Sequence, residues 1–267
     1  MKIRRHLSKL LLLGAAFIVA ITLSACGSNS GSGFKKDLVQ SDQLTIGLEG
    51  TYAPYSYRKD GKLTGFEVEL GKAMAKKMGV KAKFVPTKWD SLVAGLGSGK
   101  YDVVLNNITV TPERKKSYIF SNPYIYSKYV LVTRAGTNVK DIKDIKGKKF
   151  AEGTGTNNEQ VAKKYGAQIV PSGEFVNSVN LVKQKRVYGT INSVDSWNSY
   201  SSEQPTIGLN ARQLTNDEAE PAQISAMFNK KDTKLQKEAN KALNALRKNG
   251  QLKKISMKYF NKDITEK

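Results

Sequence analysis

Residues 89–115 (WDSLVAGLGSGKYDVVLNNITVTPERK) carry the order of elements that decides the fold. Leu92, Val93 and Leu96 recur at helical spacing and stop at Gly97 and Gly99, which predicts a short helix ended by glycine. Residues 101–105 are apolar enough for a buried strand. Asn106, Asn107, Thr109 and Thr111 follow at its carboxyl end, and Pro112 opens another helical turn. Helix, strand and polar loop in that order mark an α/β sheet, which binds ligands at the carboxyl ends of its strands. Proline at a first helical position leaves nearby backbone N–H groups pointing back at that edge. Arg114 stands beside them. A guanidinium with hydroxyl and backbone donors suits a small carboxylate, each shielded charge-assisted bond contributing about 1.5–3 kcal/mol. Spacing alone leaves a second reading open, a basic surface turn with Lys115 and Lys116.

The alternation continues on both sides. Upstream, residues 44–48 predict a strand running into Glu49 and Gly50, and Asp60-Gly61 a hairpin turn. Phe66, Leu70, Ala73, Met74 and Met78 predict an amphipathic helix capped by Gly79, with a strand over 80–85 after it. Downstream the pattern restarts with strands over 129–133, 149–151, 168–170 and 187–191. A helical turn at 141–146 and helices over 158–165 and 176–185 lie between them. A strand near 224–228 precedes a long helix from about 232 to 248 and a last one over 252–260. Two successive α/β units with a C-terminal return predict two lobes and a cleft between them.

The 267 residues include 44 Lys and Arg against 23 Asp and Glu, a formal charge of +21, with 39% hydrophobic residues. The single cysteine, Cys26, and the single histidine, His6, both lie in the first segment. A mature chain without that segment has no free thiol, disulfide, imidazole base or zinc ligand set, which excludes thiol proteases, Ser-His-Asp hydrolases and zinc enzymes. The segment reads as an export signal. Lys2, Arg4, Arg5 and Lys9 form a basic start, and 10–23 (LLLLGAAFIVAITL) are apolar but short for a membrane span. Leu23-Ser24-Ala25-Cys26 looks like a bacterial lipobox, so Cys26 is expected to carry a lipid at the mature N-terminus. Residues 1–25 are then a signal peptide and 26–37 the lipidated cysteine with a flexible Gly/Ser tether. Loss of the four basic residues leaves 40 against 23, a charge of +17.

Other motifs point to less. Tyr52, Tyr55, Tyr57, Phe66 and Trp89 surround the early loop; taken singly each reads as core, Tyr52 after its strand end being the exception. Gly153-Thr154-Gly155 lacks the third glycine and the Gly-Lys-Ser/Thr of a phosphate loop, yet its N–H groups can serve a carboxylate. Asp90 and Asp102 look like a helix cap and a strand-edge residue rather than a hydrolase pair. No interleaved aromatic and basic motif suggests nucleic-acid binding.

Together these residues resemble the amino-acid-binding branch of the ABC-transporter solute-binding proteins, cystine and polar-amino-acid binders above all. The likeness covers 44–260 and rests on 52–70 (YAPYSY…G…GFEVEL), 89–114 and 152–156 (EGTGT), in order and at the right distances. It also extends to the basic surface proteins of lactobacilli. The resemblance implies a type II periplasmic-binding-protein-like α/β fold, each lobe a mostly parallel sheet flanked by helices. Crossover strands are expected near 126–130 and 220–226. The first lobe is then 38–127 plus 223–267, and the second 128–222.

The resemblance also implies the site. Arg114 would clamp the ligand α-carboxylate, with Thr109 and the backbone at Asn107 sharing that carboxylate and the α-ammonium. Tyr52 and Trp89 would wall the side chain, Glu49 would touch a polar side chain, and Thr154 and Gly155 would reach the carboxylate after closure. Relatives place an Asp for the α-ammonium where this chain has Ser193. Asp195 is expected in that role, with Glu220 as substitute. The function implied is a monomeric, lipid-anchored receptor outside the cell membrane, of Gram-positive type. It would pass a polar amino acid, cystine first, to an ABC permease, with no cofactor and no catalysis. The alternative is a basic adhesin that binds collagen, mucin or anionic wall polymers through its charge.

Overall fold

The computed structural model describes residues 33–266. The signal segment, Cys26 and the tether up to residue 32 lie outside the described residues. The tether ends earlier than residue 37, because Phe34 and Leu38 are buried in the main core on either side of a 3-10 turn at Lys35–Asp37.

Strand β1 (Gln43–Leu48) is buried on both faces, as a central strand of a covered sheet must be. The hairpin β2 (Tyr57–Lys59) and β3 (Lys62–Thr64) turns at Asp60 and Gly61, both with positive φ, the pair that a two-residue turn of right-handed strands requires. Then come α1 (Phe66–Lys77), β4 (Lys81–Pro86), α2 (Trp89–Gly97), β5 (Val103–Val104), α3 (Pro112–Ser117) and β6 (Tyr118–Phe120). After β7 (Ile125–Ser127) a second unit is built from β8 (Tyr129–Arg134), β9 (Lys149–Glu152), α4 (Asn157–Lys164) and β10 (Gln168–Pro171). It is completed by α5 (Phe175–Lys183), β11 (Gly189–Ser193), α6 (Val194–Glu203) and β12 (Leu209–Gln213). The chain returns through β13 (Ala222–Ile224) to β14 (Met227–Asn229), α7 (Thr233–Lys248) and α8 (Gln251–Phe260).

The sheet orders are β4-β1-β5-β14-β6 and β10-β9-β11-β8-β12. In each, three parallel strands are followed by two antiparallel ones, so the two lobes repeat one plan. Between them β7 and β13 pair antiparallel, Ile125 opposite Ile224 and Ser127 opposite Ala222, as a two-stranded ribbon. The chain therefore crosses from lobe to lobe twice, side by side. On α7, Leu235, Ala239, Ala242, Leu243 and Leu246 face inward. Each leucine wholly buried there contributes about 2 kcal/mol by leaving water.

Three local differences from the sequence reading have physical reasons. The strand expected over 224–228 is two strands, because the chain leaves the ribbon and enters the first sheet between Ile224 and Met227. The strand expected over 101–105 pairs only at Val103 and Val104. Asp102 is occupied instead, its carboxylate accepting the Val39 and Thr45 N–H groups at 2.7 and 2.6 Å. The serine-rich α6 gave no apolar period; it starts because the Ser193 hydroxyl accepts the Ser196 N–H at 3.0 Å.

Candidate functional site

The carboxyl ends of β1, β5, β9 and β11 bring Glu49, Asn106 with Asn107, Glu152 with Gly153, and Asn192 with Ser193 to one cavity. Ser127, Ala222 and Ile224 of the ribbon line it too, and it encloses only about 80 Å³, so its walls have come together. Its polar geometry begins with β5. Asn106 and Glu49 are locked reciprocally: Glu49 N donates to Asn106 Oδ1 at 2.8 Å and Asn106 Nδ2 to Glu49 Oε2 at 2.6 Å. Burial raises the Glu49 carboxyl, the Asn106 bond offsetting part of that rise. Asn107 is held at φ +48 by its N–H donating to the buried Glu67 at 2.7 Å. That turn sends the chain on to Thr109 and to α3, where Thr111 caps Pro112 by accepting the Arg114 N–H at 3.2 Å.

Arg114 is therefore part of the site and not a loose surface turn. Its Nη1 donates to Thr109 O at 2.9 Å, its Nη2 to Gly155 O at 3.1 Å, and its guanidinium lies 5.5 Å from the Trp89 ring centre. It is the only basic side chain among the described residues lining the cavity, and it makes no ion pair with any of them. Burial lowers its pKa from the usual guanidinium value. Trp89 Nε1 donates across the cleft to Thr154 O at 2.7 Å. Tyr52 packs against Tyr55 at 5.1 Å between ring centres and donates across to Asn192 Oδ1 at 2.7 Å. Glu49, Tyr52, Trp89, Asn107, Thr109 and Arg114 thus share one cavity, with the carbonyls of Thr154 and Gly155 at its rim.

Asp195 and Glu220 do not join them. Asp195 is two residues into α6, about 200° of helical rotation past the strand end. Its buried carboxylate lies 3.0 Å from Lys262 Nζ, and Asp195 and Glu220 line a separate cavity behind the ribbon. Neither lines the main cavity. The sequence reading missed Tyr129, Glu152, Glu174 and Asn192, all of which line the main cavity. Position at a strand end was the available signal for Glu152 and Asn192. The Tyr129 hydroxyl takes the Asn157 amide and is raised to about 12 by burial, with Thr109 and Asn157 pulling the other way. Among the described residues no group of three or more His, Cys, Asp or Glu is placed to hold a metal ion.

Comparison with known proteins fits this geometry. Residues 44–262 match the family model of bacterial extracellular solute-binding proteins, family 3. A probable amino-acid ABC transporter-binding protein of Haemophilus influenzae is 37% identical over 97% of this chain and 100% of its own length. An ancestral arginine-binding protein solved with arginine bound superposes with a TM-score of 0.75 at 32% identity, over 82% of this chain and 98% of that one. The L-cystine solute receptor of Neisseria gonorrhoeae, unliganded and open, is 39% identical over 84% of this chain and 95% of its own. Its TM-score is nonetheless only 0.55. In the present chain bonds from Trp89, Arg114 and Tyr52 span the cleft, so its lobes stand together. The fold is the type II periplasmic-binding-protein architecture, and the chain belongs to the bacterial extracellular solute-binding proteins, family 3.

Proposed function

We propose that this protein captures an amino acid between its lobes outside the cytoplasm and delivers it to an ABC permease. The observation that carries the reading is Arg114. It is a single half-buried cation, fixed on one side by backbone carbonyls and paired with no carboxylate of the described chain. A partly desolvated charge of that kind is stabilised by an anion that arrives from outside. In this reading Arg114 clamps the α-carboxylate with Thr109 beside it, whereas the Asn107 N–H is committed to Glu67 and leaves only its carbonyl for the ligand. Tyr52 and Trp89 wall the side chain, Glu49 meets a polar group on it, and the loop of Thr154 and Gly155 swings in as the lobes close. The lobes are 38–127 plus 223–267 and 128–222, and a lipid on Cys26 tethers the body to the membrane. A polar amino acid of the cystine type is the favoured ligand, supported by the likeness to the gonococcal L-cystine receptor. The protein binds and releases its ligand without chemistry on it.

Micromolar affinity requires about −8 kcal/mol, within reach of one shielded carboxylate clamp, one ammonium contact and an aromatic wall. Calorimetric titration of the purified protein with the common amino acids and L-cystine tests the reading. At least one should bind in the micromolar range, and Arg114→Ala should weaken it about a hundredfold. Absence of binding at millimolar concentration, or indifference to the substitution, would sink it.

A further inference from the structure

An amino acid brings a cation as well as an anion, and the acid that the resemblance places after β11 is Ser193 in this chain. Ser193 cannot replace it. Its hydroxyl already accepts from Ser196 N at 3.0 Å and Tyr55 Oη at 3.1 Å, and lies 2.9 Å from Ser196 Oγ. The neighbouring Asn192 Oδ1 is taken by Tyr52 Oη and Ser193 N. Three acids line the cavity: Glu49, Glu152 and Glu174. Glu49 is tied to Asn106 at the end of β1, and Glu174, preceding α5, is partly exposed to water. Glu152 is different: it is 2% exposed, ends β9, and accepts the Ile191 N–H on Oε1 at 2.7 Å. That bond sets its carboxyl beside β11, two residues before Ser193. No cation of the described chain pairs with it. Gly155, whose carbonyl meets Arg114, is three residues further along the same loop.

We infer that Glu152 receives the α-ammonium of the bound amino acid, in place of the acid missing at Ser193. The inference rests on the amino-acid reading above and names the residue that sets its requirement for a free amine. A buried, unpaired carboxyl is costly as an anion, and a ligand ammonium is the partner that removes the cost. Burial raises the Glu152 carboxyl well above the ordinary carboxylate range. Burial favours the protonated form of this carboxyl and a neighbouring ammonium favours the anion, so ammonium binding draws the proton off into solvent and leaves a carboxylate–ammonium pair. Affinity should accordingly rise with pH through the raised range of Glu152. The charged and titratable groups around it are Glu159 on α4 (paired with Lys163), Tyr129 on β8, Arg114 on α3, and Glu49 and Glu174 across the cavity.

The test is calorimetry of the full chain in buffers of differing ionisation enthalpy, with the tightest amino acid of the panel and its N-acetyl derivative as probes. Wild-type protein should release protons on binding the amino acid and should bind the N-acetyl form much more weakly. Glu152→Gln should lose the proton release and bind the amino acid at least tenfold more weakly. Adding Ser193→Asp to Glu152→Gln should restore affinity, which a merely structural role of Glu152 would not permit. A folded Glu152→Gln protein with unchanged affinity and proton release, while Arg114→Ala abolishes binding, overturns this inference and leaves the amino-acid reading standing. Wild-type protein that binds no amino acid overturns both.

Discussion

Glu67 shows what one side chain can do from behind a site. It is wholly buried, and its Oε1 accepts both the Asn107 N–H and the Tyr124 hydroxyl, while Oε2 has no partner. It thereby fixes the backbone turn that presents Asn107 to the cavity. Burial raises its pKa from 4.5 to about 7, the two hydrogen bonds limiting the rise. An acid raised on folding costs no stability while it is protonated in both states. The cost starts above the unfolded pKa and saturates above the folded one, so stability falls as pH rises from about 4.5 to about 7, by an upper figure of about 3 kcal/mol. Glu67→Gln keeps an acceptor for both donors and removes the titration. Urea midpoints at pH 5 and pH 8 should therefore converge in the variant relative to wild type, and equal pH slopes would refute the assignment. Sequence could not show this, because a glutamate among apolar helix positions is normally turned to water. Arg114 was legible for the opposite reason: a strand end, polar residues and a helix-opening proline all lie within a few positions of it. Asp195 was misread since nothing in its serine-rich surroundings announced a helix starting at Val194.

At the scale of elements, the edge strand β12 is pinned through side chains. Arg212 on that strand makes a two-pronged bond to Glu218, both at 2.8 Å, and Glu218 also accepts the N–H groups of Ile142 at 2.9 Å and Thr215 at 2.8 Å. One carboxylate thus ties β12 to the 3-10 turn of Ile142–Ile145. Arg212 is the main cause of its pKa falling from 4.5 to about 2. The sign is opposite to that of Glu67: this stabilisation is complete above about 4.5 and is lost as pH falls towards about 2. Glu218→Gln should unfold at a pH closer to neutral than wild type in an acid titration followed by circular dichroism, with little change at pH 7 in the other lobe. Hydrogen exchange localises that effect; the variant's early loss should be confined to β8, β12 and the 3-10 turn. The β12 strand had no clear period-two pattern, whereas β1 and β4 were read within a residue or two, β1 as a continuous apolar run covered on both sides and the edge strand β4 by its alternation.

For the molecule as a whole, charge and closure separate cleanly. The cavity is lined by Glu49, Glu152 and Glu174 against Arg114 alone, so the basic surplus of the chain lies elsewhere on the body. Closure is held by bonds between lobes: Trp89 to Thr154, Arg114 to Gly155 and Tyr52 to Asn192. A neutral hydrogen bond contributes about 0.5–1.5 kcal/mol, so Trp89→Phe should weaken ligand binding several-fold while leaving thermal stability of the empty protein nearly unchanged. Small-angle scattering should show a larger radius of gyration for the ligand-free variant than for the liganded wild type. The two-lobed plan was readable because the strand–helix alternation runs through twice. Which residues meet across the gap was not, since that depends on how two separate sheets face each other.

The ribbon of β7 and β13 has one more consequence. Two hydrogen-bonded straps side by side resist twisting and shear far more than a single chain would, and leave bending as the soft motion. The lobes then behave as a door on a double-leaf hinge, travelling along one coordinate and returning to the same register each time. A single label-to-label distance across the cleft should therefore report the entire conformational state, and titrating that distance should give a transition without intermediates.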